Sequence, residues 1–270
     1  MTVLGFGSSL RTSPKKIEME IVPSSNCKTN CYCKLSRMSA VLNEVTKVSL
    51  GENFKKCVQG YHLINSEPLK ESVWEAVNAQ VFVASGISVE SKSSGSHSPG
   101  SDITCAIGNI SNKSAKYDGK KQESFSVSSY RLTAICSGTN CGTPAAIIAE
   151  IEKRKNFQYY SIIVREELES TYNYHWYLIP SDHPSLSPHT YEWVPMIGKR
   201  GVNKGKQVGW ETNTVNGSNM SVSFSMSSQL WINVAATEEL KHYIVGSVTT
   251  TQKQTFDYMQ LFDILSKNGV

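Results

Sequence analysis

The stretch from Ser101 to Thr133, SDITCAIGNISNKSAKYDGKKQESFSVSSYRLT, decides how the chain folds. Its first part alternates Ile103, Cys105 and Ile107 with smaller residues, the period of a strand. Its last part, from Glu123 onward, is extended again, with Phe125 and Val127 on one face and Tyr130 and Leu132 on the other. Between them, NISNKSAKYDGKK reads as a polar turn region that brings two strand starts side by side. Each start carries an acid. Asp102, the first aspartate in the chain, follows the Pro99-Gly100-Ser101 bend, and Glu123 opens the second strand.

On the N-terminal side of this stretch, SEPLKESVWEAVNAQVFVASG (Ser66 to Gly86) is the clearest helix. Ser66 serves as its cap, Pro68 suits its first turn, and Leu69, Val73, Val77 and Val81 with Trp74 form its buried stripe. On the C-terminal side TPAAIIAEIEKRK is a second helix, capped by Thr143 with Pro144 at its first position. FQYYSIIVR and YNYHWYLIP pair across the acidic connection EELES. MSVSFSM and QLWINV follow as strands, and short helices around TEELKHYI and TFDYMQLFDILSK close the chain. This order predicts an α/β fold with a mixed central β-sheet flanked by helices. Residues 1–35, rich in Ser, Lys and Asn, form an irregular arm, and 36–270 form one domain.

The composition narrows the function. The 270 residues are 39% hydrophobic and 19% charged, with a net charge of +4, too small by itself to demonstrate a polyanion partner. No stretch approaches the roughly 18 apolar residues of a membrane span, and the basic residues of the N-terminus follow its short apolar segment, the wrong order for a secretory signal. These features predict an intracellular, cytoplasmic protein without a membrane partner. Seven scattered cysteines argue for reduced thiols. The cluster Cys27, Cys31, Cys33, with Cys57 as a fourth candidate, lacks the paired knuckles of a zinc site and reads as free thiols.

Two carboxylates on adjacent strand starts suit Mg2+, which keeps several waters and takes one or two protein carboxylates. Asp102 and Glu123 are therefore the predicted metal ligands. His97, five residues before Asp102, is a candidate general base, and Glu71 and Glu75, one helical turn apart, are candidate outer carboxylates.

A glutamate-bearing helix, a Gly-rich bend ending in P-x-x-D, a strand, and a second strand opening with Glu together resemble the core of the PD-(D/E)XK nucleases, particularly type II restriction endonucleases. In that family an Asp, then a Glu or Asp, then a Lys two residues on, sit on neighbouring strands and hold Mg2+. The resemblance spans residues 66–135 and implies a restriction-endonuclease-like core with Asp102, Glu123 and a lysine as catalytic residues. Phe125 stands where that lysine belongs, so Lys121, two residues before Glu123, is expected to supply the ammonium. The resemblance further implies site-specific cleavage of double-stranded DNA by a homodimer, since a palindromic site needs two active sites about a two-fold axis.

GKRGVNKGKQVGWETN, Gly198 to Asn213, is the strongest basic patch. Lys199, Arg200, Lys204 and Lys206 are spaced by glycines and are expected to contact phosphates, with Asn203 and Gln207 reading base edges. Arg131, on the strand after Glu123, is a candidate for the scissile phosphate. The reading from another class is a non-enzymatic, β-rich binding or structural protein, such as a viral or surface component. An Asp102–Glu123 separation beyond about a nanometre would favour it, because one ion cannot bridge that gap.

Overall fold

The computed structural model describes residues 44–92, 100–118, 123–137 and 140–251, together with residues 259, 263, 266 and 267. The arm at 1–35 with its three cysteines, His97, Pro99, Lys121 and most of the last expected helix lie outside the described residues.

The chain opens with α1 (Glu44–Ile64) and α2 (Glu71–Ala84), followed by β1 (Val89–Lys92), β2 (Ile103–Cys105), β3 (Gly108–Asp118) and β4 (Ser124–Arg131). Next come α3 (Pro144–Arg154), β5 (Tyr159–Glu167), β6 (Thr171–Pro180), β7 (Trp193–Ile197), β8 (Gln207–Thr212), β9 (Asn219–Ser223) and β10 (Gln229–Ala235). The short α4 (Glu238–Lys241) and β11 (Ile244–Thr251) complete the body. No helix among the described residues is long and apolar enough to cross a membrane.

The fold is mixed α/β, built on a large mixed sheet with few helices. Its strands run in the order β11-β6-β5-β3-β4-β10-β9-β8-β7, and β2, carrying β1, also pairs with β3. The single parallel pair among these strands is β3 with β5, in register from Ile110↔Tyr159 to Lys116↔Arg165. A parallel neighbour needs a crossover, and α3 lies on that connection. Thr143 caps α3 as expected, its hydroxyl accepting from Ala146 N–H at 3.2 Å. The β5–β6 hairpin is also as expected, closing at Glu167↔Tyr172.

Two expectations are corrected. The segment NISNKSAKYD is the central strand β3, not a turn region. Its composition hides this, but hydrogen bonding to β5 along its length holds polar residues in the sheet. Second, α2 begins at Glu71, and its N-cap Lys70 makes no side-chain cap. The preceding residues are used as an anchor instead: Leu69 is fully buried and donates its N–H to Tyr174 Oη.

The sheet separates two cores. On one face α1 and α2 pack Phe54, Trp74 and Phe82 against Tyr159, Ile163, Tyr174 and Trp176. On the other, Ile147 and Ile151 of α3 and the strands β4, β9 and β10 pack against Tyr160, Ile162, Val164 and Tyr177. β5 contributes alternate residues to both, which is why its sequence is a continuous apolar run.

Candidate functional site

Along one edge β3 pairs with β2 only at Gly108–Ile110, and with β4 only at Tyr117 and Asp118. Among the described residues no strand pairs with that edge between Ser111 and Lys116. The strands diverge there, and their divergence leaves backbone groups of β3 available to side chains.

Asp102 occupies the start of this gap. Its N–H donates to Ile110 O at 2.8 Å, a ladder bond that places the residue opposite β3. Its Oδ2 then accepts from Asn112 N–H and, at 3.4 Å, from Ser111 Oγ. The carboxylate thus takes the place that the next strand residue would occupy. Lys113 follows on β3, with its side chain 13% exposed. Its Nζ donates to Glu71 Oε1 at 2.7 Å and to Asn112 O at 2.8 Å. Glu71 begins α2, and Glu75 stands one turn further along the same side of the helix.

The electrostatics bind these four residues into one cluster. Burial raises the Asp102 carboxyl above the usual range, and Glu71 adds to the rise, while Lys113 and the Asn112 N–H pull it back. Glu75 is raised by burial and then by Asp102 and Glu71, with Lys113 opposing. Burial alone would lower the Lys113 ammonium, but the charges of Glu71 and Asp102 outweigh it and hold the group above its ordinary value. Glu71, with its side chain 38% exposed, is in direct contact with the Lys113 ammonium, while Asp102 and Glu75 are near enough to feel its charge. No three His, Cys, Asp or Glu side chains among the described residues are grouped so as to hold a metal ion. A hard cation such as Mg2+ needs only one or two protein carboxylates, because it keeps several of its waters.

The expected partner of Asp102 is elsewhere. Glu123 is exposed at the start of β4, where Ser124 pairs with Asp118, while Asp102 faces Ile110 at the opposite end of β3. At about 3.3 Å per residue that interval is about 26 Å. One ion cannot span it, so the Asp102–Glu123 metal pair is corrected. Phe125 stands where the family pattern has a lysine, and the position faces inward: it is fully buried against Tyr117 and Tyr177. The lysine near Asp102 is Lys113, which sits in a run of polar residues that reads as a turn in the sequence.

The basic patch is a built hairpin between β7 and β8. Gly198 N–H donates to Lys206 O and Gly205 N–H to Gly198 O, both at 2.9 Å, around a 3-10 turn at Gly201–Asn203. Gly198 approaches so closely that a Cβ there would lie 2.2 Å from Asn203 O. Lys199, Arg200, Asn203, Lys204 and Lys206 are exposed on this frame. Gln207 is half-buried and its Nε2 donates to Gly209 O, so its amide N–H serves its own strand rather than a base edge. Trp210 Nε1 is likewise tied down, to Cys141 O. Arg131 is exposed at the end of β4, not buried. Through Gln229↔Arg131, Leu230↔Val222, Gly209↔Ser223 and Ile197↔Gln207, it shares one end of the sheet with the basic hairpin. Because β4 runs antiparallel to β3, that end points back toward Asp102.

The structure thus brings together Asp102, Glu71, Glu75 and the unanticipated Lys113, and separates them from Glu123. No family model, no curated protein and no solved structure matches the chain.

Proposed function

We propose that this chain is a Mg2+-dependent endonuclease acting on double-stranded DNA, with its active site at the open edge of β3. The observation that carries the reading is that Asp102, held by the Asn112 N–H at the entrance of β2, lies within electrostatic reach of Lys113 on β3, whose ammonium is paired with Glu71 of α2. In the PD-(D/E)XK pattern an aspartate is followed by an acid and then, two residues on, by a lysine. Asp102 and Lys113 supply the first and last of these, and Ser111 stands at the acid's place. Glu71 and Glu75 bring carboxylates to the same edge from the helix.

Asp102 and Glu75 are the residues that would hold the ion, which when bound lowers the pKa of a water and neutralises charge on the phosphodiester. Lys113 keeps its proton under the charges of Glu71 and Asp102, so it acts as a fixed cation that orients the attacking water or the scissile phosphate. Asn112 fixes Asp102 by its N–H. Lys199, Arg200, Lys204 and Lys206 supply phosphate contacts that set the duplex in place. Cutting a palindromic site would engage two copies of the chain about a two-fold axis.

Incubation of the protein with supercoiled plasmid and Mg2+, beside Asp102→Ala and Lys113→Ala, tests the reading. Cleavage by the parent chain and loss of at least about a hundredfold in either variant are expected. A parent chain that leaves the plasmid intact in Mg2+ sinks the proposal. The second reading, a non-enzymatic binding or structural protein, draws on the wide Asp102–Glu123 separation and on a strand-dominated half from β7 to β10. It expects binding without hydrolysis, indifferent to Asp102→Ala.

A further inference from the structure

Between α2 and the sheet lies a polar group in an otherwise apolar interface. Asn78 on α2, Asn112 on β3 and Ser161 on β5 are all fully buried. Asn78 Nδ2 donates to Asn112 Oδ1 and, at 2.7 Å, to Ser161 Oγ. Trp176 Nε1 donates to the same hydroxyl at 2.9 Å, and Trp74 Nε1 to Ser161 O at 3.2 Å. Asn112 and Ser161 face each other in the parallel register of β3 and β5.

This network is poorly explained by stability. Asn78 Oδ1 and Asn112 Nδ2 are buried without a hydrogen-bond partner among the described residues. A buried network with orphaned atoms holds a helix less well than apolar side chains of the same size. What apolar contacts do not supply is direction: a greasy helix face can slide or rotate on a sheet at small cost, whereas paired amides fix one register.

The register matters here because of what stands on each side. Glu71, Glu75 and Asn78 are spaced i, i+4 and i+7, so they lie along one side of α2. Asn112 gives its backbone N–H to Asp102 and precedes Lys113. One residue therefore joins the strand-borne half of the cluster to the helix bearing the other half. We infer that the Asn78–Asn112 pair is a positioning device that holds the glutamates of α2 in register with Asp102 and Lys113. Neither amide touches the reacting atoms. The pair acts through the four residues it aligns.

The inference rests on the proposed hydrolase reading for its kinetic arm and stands apart from it in a spectroscopic arm. Asn78→Leu/Asn112→Leu removes the amides at similar volume. Expected are a melting midpoint equal to or above that of the parent, kcat lower by about 10- to 100-fold with KM unchanged, and split or broadened backbone amide resonances from Glu71 to Asn78. A purely structural role would instead lower the midpoint and leave both kcat and those resonances alone. A kcat within about twofold of the parent, or sharp and unshifted Glu71 and Glu75 resonances, overturns the inference. If the parent chain cuts no DNA, the proposed function fails and the resonances decide the positioning role alone. Should the double variant not fold, Asn78→Ser takes its place with the same readouts.

Discussion

Asp102 and Glu123 each stand at the entrance of a strand that pairs with β3, one near its beginning and one near its end. In sequence the two look alike, an acid after a polar, Gly- or Lys-bearing stretch and before an alternating run. In the fold they differ. Asp102 lies under α2, receives the Asn112 N–H and shares its surroundings with Glu71, Glu75 and Lys113. Glu123 is exposed, and its backbone carbonyl receives the N–H of Ala236. An acid becomes a candidate for chemistry through what packs over it, and that covering comes from a helix about thirty residues upstream in the chain.

The strongest response should come at the two poles of this contrast. Asp102→Ala and Lys113→Ala are expected to lower plasmid cleavage about 10²- to 10³-fold, whereas Glu123→Ala stays within about twofold. Initial rates in Mg2+ decide it. An inactive Glu123→Ala beside an active Asp102→Ala would move the site to the other end of β3 and refute the cluster.

How far the sequence carries a reader follows from how local each signal is. The Thr143 cap and Pro144 announce α3 within a few residues, and the β5–β6 hairpin is declared by its apolar runs and acidic connection. The strand character of β3 has no such local sign, because Asn109, Ser111, Asn112, Lys113 and Ser114 read as a turn until β5 is laid beside them. Lys113 is held by Glu71, 42 residues away in the chain. Asp102 stands out because a lone aspartate after a bend at a strand's entrance is a local pattern, and Glu71 and Glu75 because they lie one helical turn apart; Lys113 has no such sign.

A smaller effect isolates the role of the helix. Glu75→Gln keeps the shape of the side chain but removes one of the three charges around Lys113, and it should cost about 10- to 100-fold in kcat. The Mg2+ concentration for half-maximal rate should rise alongside. A variant with parent-like Mg2+ dependence would limit the site to Asp102 and Glu71.

Smaller still is the contribution of the β7–β8 hairpin, which lies outside the chemistry at either end of β3. Lys204→Ala/Lys206→Ala should weaken duplex binding and flatten the slope of log affinity against log salt by about 1.8, at about 0.9 for each phosphate that is no longer neutralised. At saturating DNA kcat should be unchanged. Fluorescence anisotropy across a salt series, without Mg2+, reads this directly, and an unaltered slope would show that the hairpin faces away from the duplex.

The subtlest test uses stability alone and needs no activity. The folded chain raises the carboxyls of Asp102 and Glu75 above their unfolded values, so it holds those protons more tightly than the unfolded chain does. The stabilisation from such a group is fully present below its unfolded pKa and is lost as pH rises through its folded pKa. Ionised Asp102 is therefore a burden at neutral pH. Asp102→Asn preserves an acceptor for the Asn112 N–H and removes the ionisation. It also relieves Glu75 of a neighbouring charge, which acts in the same direction. Lys113 gives an opposing contribution, because its raised ammonium loses a counter-charge. That attraction exists only while Asp102 is ionised and is already part of the balance that leaves its carboxyl raised, so it makes the climb shallower without reversing it. The denaturant midpoint of Asp102→Asn relative to the parent should accordingly climb as pH rises above the ordinary carboxyl range. A flat difference would mean that Asp102 is solvated like an ordinary surface acid. The two ends of β3 would then differ in position but not in kind.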